Sequence, residues 1–115
     1  MLMTKIYQQE EKKVIELVGN AMQILDYGCG LGRYLSLFLK MGRSITGVDI
    51  NPEIVNLHQN ECRNVCLPND FKTTKECFDC IILSHIIEHI YPNDLITLID
   101  RLVPNAFTAC NTVIQ

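Results

Sequence analysis

Short apolar runs alternate with amphipathic segments along this chain, and that alternation limits its fold more than any other feature. QILDYG, SITGVDI and CFDCIILS are each strand-like, and the segments between them carry apolar residues at helical spacing. CFDCIILS is apolar at almost every position, which is typical of a strand buried on both faces of a parallel sheet. The pattern predicts an α/β fold with a doubly wound, mainly parallel sheet in a three-layer αβα arrangement, joined by right-handed crossovers.

Capping signals place the helices around these strands. Thr4 is the predicted N-cap of a first helix over 4–19, which ends at Gly19. Asn51, followed by proline, is the predicted N-cap of a later helix, and Asn93 is that of the final one. RNVCLPND contains a further short strand, and NTVIQ is predicted to begin a fifth strand.

The composition is that of a globular protein, with 48% hydrophobic and 20% charged residues among 115. We expect one domain, 1–115, in which a cofactor-binding core at 23–115 follows the N-terminal helix.

The formal net charge is -3, and no segment combines basic residues with aromatics as nucleic-acid-binding faces do. No run approaches the ~20 apolar residues of a membrane span, and the N-terminus is too charged for a signal peptide. These features predict a cytoplasmic protein with no membrane partner and no nucleic-acid signal.

Four of the cysteines form closely spaced pairs, which raises the question of a zinc site. Cys62 and Cys66 have C-x3-C spacing, and Cys77 and Cys80 have C-x2-C spacing. Strand alternation would place Cys77 and Cys80 on opposite sides of an extended segment, so they could not bind one ion without a turn between them. Reduced thiols in a reducing compartment are the favoured interpretation, and no metal site is predicted.

The stretch ILDYGCGLG combines the end of a strand with three glycines. Gly28, Gly30 and Gly32 would let the backbone of a turn approach a ligand at the carboxyl ends of the strands. The dinucleotide fingerprint G-x-G-x-x-G needs glycine where this chain has Arg33. The carboxylate of Asp26, just before the turn, would repel a pyrophosphate and attract a cationic ligand. A nicotinamide-linked oxidoreductase is therefore disfavoured.

A second acidic residue, Asp49, follows the apolar part of the strand SITGVDI. At the end of the second strand a carboxylate can accept hydrogen bonds from both hydroxyls of a ribose. The alternative is that Asp49 only caps the helix that follows. Together, Asp26 and Asp49 suit a nucleoside that carries a positively charged tail.

Four stretches of the chain together resemble the class I S-adenosylmethionine-dependent methyltransferases. ILDYGCGLG is similar to the first motif of that family, ITGVDIN to the second, NDF to a shortened third, and FDCIILSHIIEHI to the fourth. The resemblance runs from the leading helix to about Pro104. It implies a Rossmann-like methyltransferase fold with strand order 3-2-1-4-5, S-adenosylmethionine as the cofactor, and methyl transfer to a small-molecule substrate.

The resemblance also implies a cofactor site at the ends of the first four strands. The glycines and the backbone around Asp26 would hold the methionine part, with the backbone of Ser84 beside it. Asp49 would bind the ribose, Ile50 would pack on the adenine, and Asp70 would accept a hydrogen bond from its amino group while the next residue flanks the ring. The turn PND would favour an aspartate on local grounds alone. The predicted cofactor-binding residues are Asp26, Gly28, Gly30, Gly32, Asp49, Ile50, Asp70, Phe71 and Ser84.

SHIIEHI places His85, Glu88 and His89 in the H-x-x-E-H spacing of certain zinc hydrolases. Such a site needs a long helix and a further acidic ligand, whereas these histidines follow a buried strand and only Asp94 and Asp100 remain downstream. By the resemblance, His85 or His89 lies beside the methyl-transfer site and could act as the general base on an acceptor hydroxyl. The alternative is that each histidine only satisfies nearby backbone groups.

The chain departs from the family towards its C-terminal end. Family sheets usually have two strands beyond the fifth, so the resemblance implies a C-terminally truncated domain. An uncovered fifth strand is a pairing hazard, which predicts either a homodimer through that edge or a longer enzyme of which this chain is a fragment. The alternative function is a non-catalytic cofactor-binding or partner subunit with the same fold.

Overall fold

The structure, a computed structural model, describes residues 2–71, 78–83, 93–94, 97 and 106–114. Helices and strands alternate in it as the sequence predicts. The helices are α1 (Leu2–Val18), α2 (Arg33–Lys40) and α3 (Pro52–Asn60), and a short 3-10 helix spans Pro68–Asp70. The strands are β1 (Gln23–Tyr27), β2 (Ser44–Val48), β3 (Val65–Cys66), β4 (Phe78–Leu83) and β5 (Ala106–Ile114).

The five strands form one parallel sheet in the order β3-β2-β1-β4-β5, which confirms the predicted strand order. β1 lies at the centre, between β2 and β4. The strand order reverses between β1 and β4, and in such sheets ligands bind outside the carboxyl ends of the strands at this point. The predicted class, a Rossmann-like α/β fold with a doubly wound parallel sheet, is therefore confirmed.

Successive residues of β1 and β4 alternate between two apolar clusters, one on each face of the sheet. Ile24 and Ile82 belong to the cluster that residues of α1, α2 and α3 complete. Leu25 and Ile81 belong to the other cluster, which contains two phenylalanines. Both faces of these strands are buried, which explains why CFDCIILS lacks polar alternation.

Two predicted boundaries are wrong and one predicted cap is confirmed. α1 begins at Leu2, so Thr4 lies inside the helix and cannot cap it, because the backbone before it is already helical. β5 begins at Ala106, before the predicted NTVIQ, and pairs with β4 at Ala106 and again, after a register shift, over 111–114. Asn51 does cap α3, because its side chain accepts the Glu53 N–H at 3.0 Å.

Several predictions for the C-terminal half fall wholly or partly outside the described residues. Asp94 and Thr97 are helical, as predicted, but Asn93 is also helical, so it lies inside the helix in place of capping it; the rest of that helix and Cys77 lie outside the described residues. Among the described residues, no helix is long and apolar enough to cross a membrane, and no group of three or more His, Cys, Asp or Glu could hold a metal ion. β5 lies at one end of the described sheet, and a homodimer through it stays a prediction.

Candidate cofactor site

The turn 28–32 connects the end of β1 to the start of α2, and its backbone conformation depends on glycine. Gly28, Gly30 and Gly32 have φ values of 88°, 53° and 88°, which residues with side chains rarely adopt. The N–H groups of Gly28 and Cys29 both donate to the Val48 carbonyl, at N···O distances of 2.7 and 3.1 Å. The turn is therefore attached to the carboxyl end of β2, where the fold predicts a ligand.

Asp49 follows β2, and its carboxylate forms hydrogen bonds both with the glycine turn and with the backbone just before α3. Its Oδ2 accepts the Gly30 N–H at 2.9 Å, and its Oδ1 accepts the Asn51 N–H at 2.9 Å. Asp49 therefore does not cap α3 itself, because Asn51 is the cap, but it holds the Asn51 backbone and also contacts the turn. Each carboxylate oxygen can accept a second hydrogen bond, so this geometry leaves room for the predicted ribose contact.

Asp26 is a fully buried residue of β1. Within the described part of the chain, neither of its carboxylate oxygens has a hydrogen-bond partner. Burial raises the pKa of Asp26 to about 7, repulsion from Asp49 adds to the rise, and the positive charge of Arg33 opposes it. A buried carboxylate without a partner is costly when it ionises, so a positive charge beside it would stabilise the ionised form.

His58 contacts the glycine turn, and the sequence analysis did not identify it. The residue is buried on α3, and its Nε2 lies 2.7 Å from the Gly30 carbonyl oxygen. A Cβ added to Gly32 would lie 2.6 Å from His58 Cε1, so glycine at position 32 makes room for this ring. The signal was present in the sequence, because His58 is three residues after the buried Val55 and so shares its helix face.

Gly47 is a second residue that the sequence analysis missed. It lies in β2, opposite Asp26 in β1, and a Cβ there would lie 2.9 Å from Cys29 Sγ. Burial raises the pKa of Cys29 to about 12, so the thiol is neutral and acts as a small packing group beneath the turn. The pattern of SITGVDI predicts only a strand, because it does not reveal which residue packs above Gly47.

The residues predicted to surround the adenine lie in the segments that follow β2 and β3. Ile50 follows Asp49 and is 82% exposed, so its side chain is available to a ligand. Asp70 is exposed at the end of the 3-10 helix. Phe71 is buried, with its ring centroid 6.1 Å from that of Phe78, so its side chain packs in the core and its backbone is left to flank a ligand.

Ser84, His85 and His89 lie outside the described residues, and their predicted roles stay predictions. β4 ends at Leu83, whose register partner in β1 is Tyr27. The chain therefore leaves β4 at the same edge of the sheet at which the glycine turn begins.

A family model described as a methyltransferase domain matches residues 6–111. Among curated proteins, the chain is 28% identical over 83 residues to the mitochondrial ubiquinone biosynthesis O-methyltransferase of Rattus norvegicus. The matched region covers 62% of this chain and 24% of that protein. It is 27% identical over 106 residues to the probable cobalt-precorrin-6B C(15)-methyltransferase (decarboxylating) of Thermoplasma acidophilum, over 82% of this chain and 52% of that protein. The chain thus spans between about a quarter and a half of the length of these relatives.

Solved structures share the fold. A glycopeptide N-methyltransferase superposes with a TM-score of 0.77 at 14% identity, covering 92% of this chain and 51% of that one. An S-adenosylmethionine-dependent methyltransferase from Archaeoglobus fulgidus superposes with a TM-score of 0.65 at 24% identity, covering 83% of this chain and 44% of that one. Since the family model also matches nearly the whole sequence, the chain belongs to the methyltransferase domain family, with the fold of the class I S-adenosylmethionine-dependent methyltransferases.

Proposed function

We propose that this chain binds S-adenosylmethionine at the carboxyl ends of β1 and β2 and transfers its methyl group to a small-molecule acceptor. The observation that carries the proposal is the buried Asp26 carboxylate next to the glycine turn, because it fits a ligand with positive charge. The names of the curated relatives support a small acceptor, since they refer to ubiquinone biosynthesis and to cobalt-precorrin.

In the proposed complex, three parts of the site contact the methionine part, the ribose and the adenine of the cofactor, respectively. Asp26 would balance the positive charge of the methionine part, and the glycine turn would let the backbone approach it closely. Asp49 would accept hydrogen bonds from the ribose with the lone pairs that its backbone contacts leave. The exposed Ile50 would cover one face of the adenine, and Asp70 would accept from its amino group.

Transfer itself needs little acid–base chemistry from the protein. S-adenosylmethionine supplies a methyl group that its sulfonium already activates. Alignment of the acceptor with that methyl group can then provide most of the acceleration. His85 or His89 is the proposed general base where the acceptor must lose a proton.

We also propose that residues 1–115 act as one domain. The buried Val14 and Val18 of α1 lie in the same apolar cluster as residues of α2, α3 and the sheet, which supports this assignment. Removal of α1 would therefore expose the core rather than release an independent unit.

The first test is a calorimetric titration of the 115-residue chain with S-adenosylmethionine. We expect micromolar affinity that is lost in Asp49→Ala, because both the ribose contact and the acceptor of the Gly30 N–H disappear. Asp79→Ala is the matched control. Asp79 accepts the N–H groups of Met22 and Gln23 at 3.0 and 3.1 Å, at the amino ends of the strands. This control should lose stability and keep its affinity.

A folded wild-type chain that does not bind S-adenosylmethionine would overturn the proposal. Formation of S-adenosylhomocysteine with a panel of phenol, amine and carbon acceptors measures turnover. Cofactor binding without turnover of any acceptor would favour the non-catalytic partner subunit in place of the enzyme.

A further inference from the structure

We propose that His58 is a positioning residue for the cofactor, because its ring holds the carbonyl of Gly30 in the glycine turn. The inference rests on the proposed binding of S-adenosylmethionine at that turn. His58 is 1% exposed, and its Nε2 lies 2.7 Å from the Gly30 oxygen. It therefore acts on the cofactor through the backbone and from within the core.

Two hydrogen bonds hold the backbone on either side of Gly30. A Cβ built on Gly30 meets no atom of the described residues within 4 Å, so packing leaves this residue free to change conformation. Its N–H donates to Asp49 Oδ2 at 2.9 Å, and its carbonyl accepts from His58 at 2.7 Å. Glycine at a φ of 53° has many other accessible conformations, so the loss of either bond allows the turn to leave this one.

The His58 ring is itself held by neighbouring groups. Arg63 Nη1 lies 3.4 Å from His58 Nδ1, and Arg63 Nη2 donates to Ser36 Oγ of α2 at 3.0 Å. A carbonyl oxygen can only accept, so the proton of the neutral ring is on Nε2 and Nδ1 faces the guanidinium as an acceptor. Gly32 provides the space into which the ring fits. The donor is thus aimed at the Gly30 carbonyl by contacts on both sides of the ring.

The position of the turn matters for affinity because the apparent dissociation constant rises as the binding-competent fraction of the protein falls. Without the Nε2 donor, the partly buried Gly30 carbonyl loses its partner, and conformations in which this carbonyl points elsewhere become more populated. Cofactor binding would then have to restore the original turn. Loss of one hydrogen bond of this kind corresponds to an affinity about tenfold weaker.

The test compares His58→Leu and His58→Gln in the full 115-residue chain, with Val18→Ala as the control. Leucine fills space without a donor, whereas glutamine has an N–H that can reach the same carbonyl. By calorimetry, we expect the Kd for S-adenosylmethionine to rise about tenfold in His58→Leu and less than about threefold in His58→Gln. Val18→Ala removes buried atoms of α1, so it should lower stability without changing affinity.

The imidazole ¹⁵N chemical shifts of the wild-type protein test the same bond without a substitution. We expect a neutral His58 ring protonated on Nε2. A neutral ring protonated on Nδ1 would overturn the inference, because it has no donor for the Gly30 carbonyl. An unchanged Kd in a folded His58→Leu variant would also overturn it. Absence of binding by the wild-type chain would instead overturn the proposed function, so the two failures are distinguishable.

Discussion

Asp26 lies close enough to Asp49 that the charge of Asp49 adds to the effect of burial and raises the pKa of Asp26 to about 7. The two residues lie at the carboxyl ends of the neighbouring strands β1 and β2. A cationic ligand there would offset both the burial and the repulsion. The protonation of Asp26 therefore links folding stability to pH, and under the proposed function it links cofactor affinity to pH as well.

We predict that Asp26→Asn removes a pH dependence of stability. The pKa of Asp26 is about 7 in the folded chain, against 3.8 for an unperturbed aspartate, so the folded state binds the proton more tightly. This contribution is fully present below about pH 4, falls as the pH rises towards 7, and is absent above it. At pH 8 the Asn variant should be more stable than wild type by up to about 4 kcal/mol. Urea denaturation at pH 5 and pH 8 measures this, and equal pH dependence in both proteins would contradict it.

The affinity for S-adenosylmethionine should depend on pH in the opposite direction. A positively charged ligand favours the ionised form of Asp26, whose pKa is about 7. Affinity should therefore increase about tenfold between pH 6 and pH 8, with release of a proton that buffers of different ionisation heat reveal by calorimetry. Asp26→Asn is the control, because it binds the same ligand without that carboxyl. Parallel pH profiles of variant and wild type would rule out Asp26 as the titrating group.

Substitution of Arg33 should shift that pH profile. The positive charge of Arg33 lowers the pKa of Asp26, so Arg33→Gln should move the midpoint of the affinity profile to higher pH. Arg33 Nη2 also pairs with Glu10 Oε2 at 3.0 Å between partly exposed side chains, a contact that contributes less than about 1 kcal/mol. Glu10→Gln therefore serves as the control for loss of the ion pair alone. A midpoint that stays fixed or moves down in Arg33→Gln would show that the charge of Arg33 does not act on Asp26.

Alanine at Gly32 should destabilise the fold more than alanine at Gly30. A Cβ at Gly32 would lie 2.6 Å from His58 Cε1 at a φ of 88°, whereas one at Gly30 meets no described atom within 4 Å at a φ of 53°. We expect a loss of about 1 kcal/mol in Gly30→Ala and more than about 2 kcal/mol in Gly32→Ala. Chemical denaturation of both variants checks the order. Equal losses would mean that the His58 ring moves aside at little cost.

The features that the residues themselves predicted correctly are those with local signals. The glycine turn and the Asn51 cap each follow from residues that are close together in the chain, whereas the strand order followed from the family resemblance. The sequence singled out Asp49, but only the structure shows that its carboxylate accepts from the Gly30 and Asn51 N–H groups at once. Local patterns thus indicated the turn and the strand ends at which the candidate site lies, and the contact of Asp49 with a ribose stays a prediction.

The missed features depend on contacts between residues that are far apart in sequence. His58 reaches Gly30 across 28 positions, and a histidine on the buried face of a helix does not reveal its partner. Thr4 failed as a cap because a favourable cap residue also occurs inside helices, where neighbouring residues decide the boundary. Pairing with β4 likewise extended β5 back to Ala106. Tertiary contacts determined each of these outcomes.

The packing of Cys29 over Gly47 has a consequence for how the chain tolerates substitution. A side chain at position 47 would displace Cys29, and with it the turn that the Val48 carbonyl holds. In a functional selection over all single substitutions, the middle of β2 should therefore appear as intolerant as the glycine turn, although Gly47 has no predicted contact with the cofactor. The positions that tolerate no substitution would then extend into the sheet, beneath the residues that are proposed to contact the ligand.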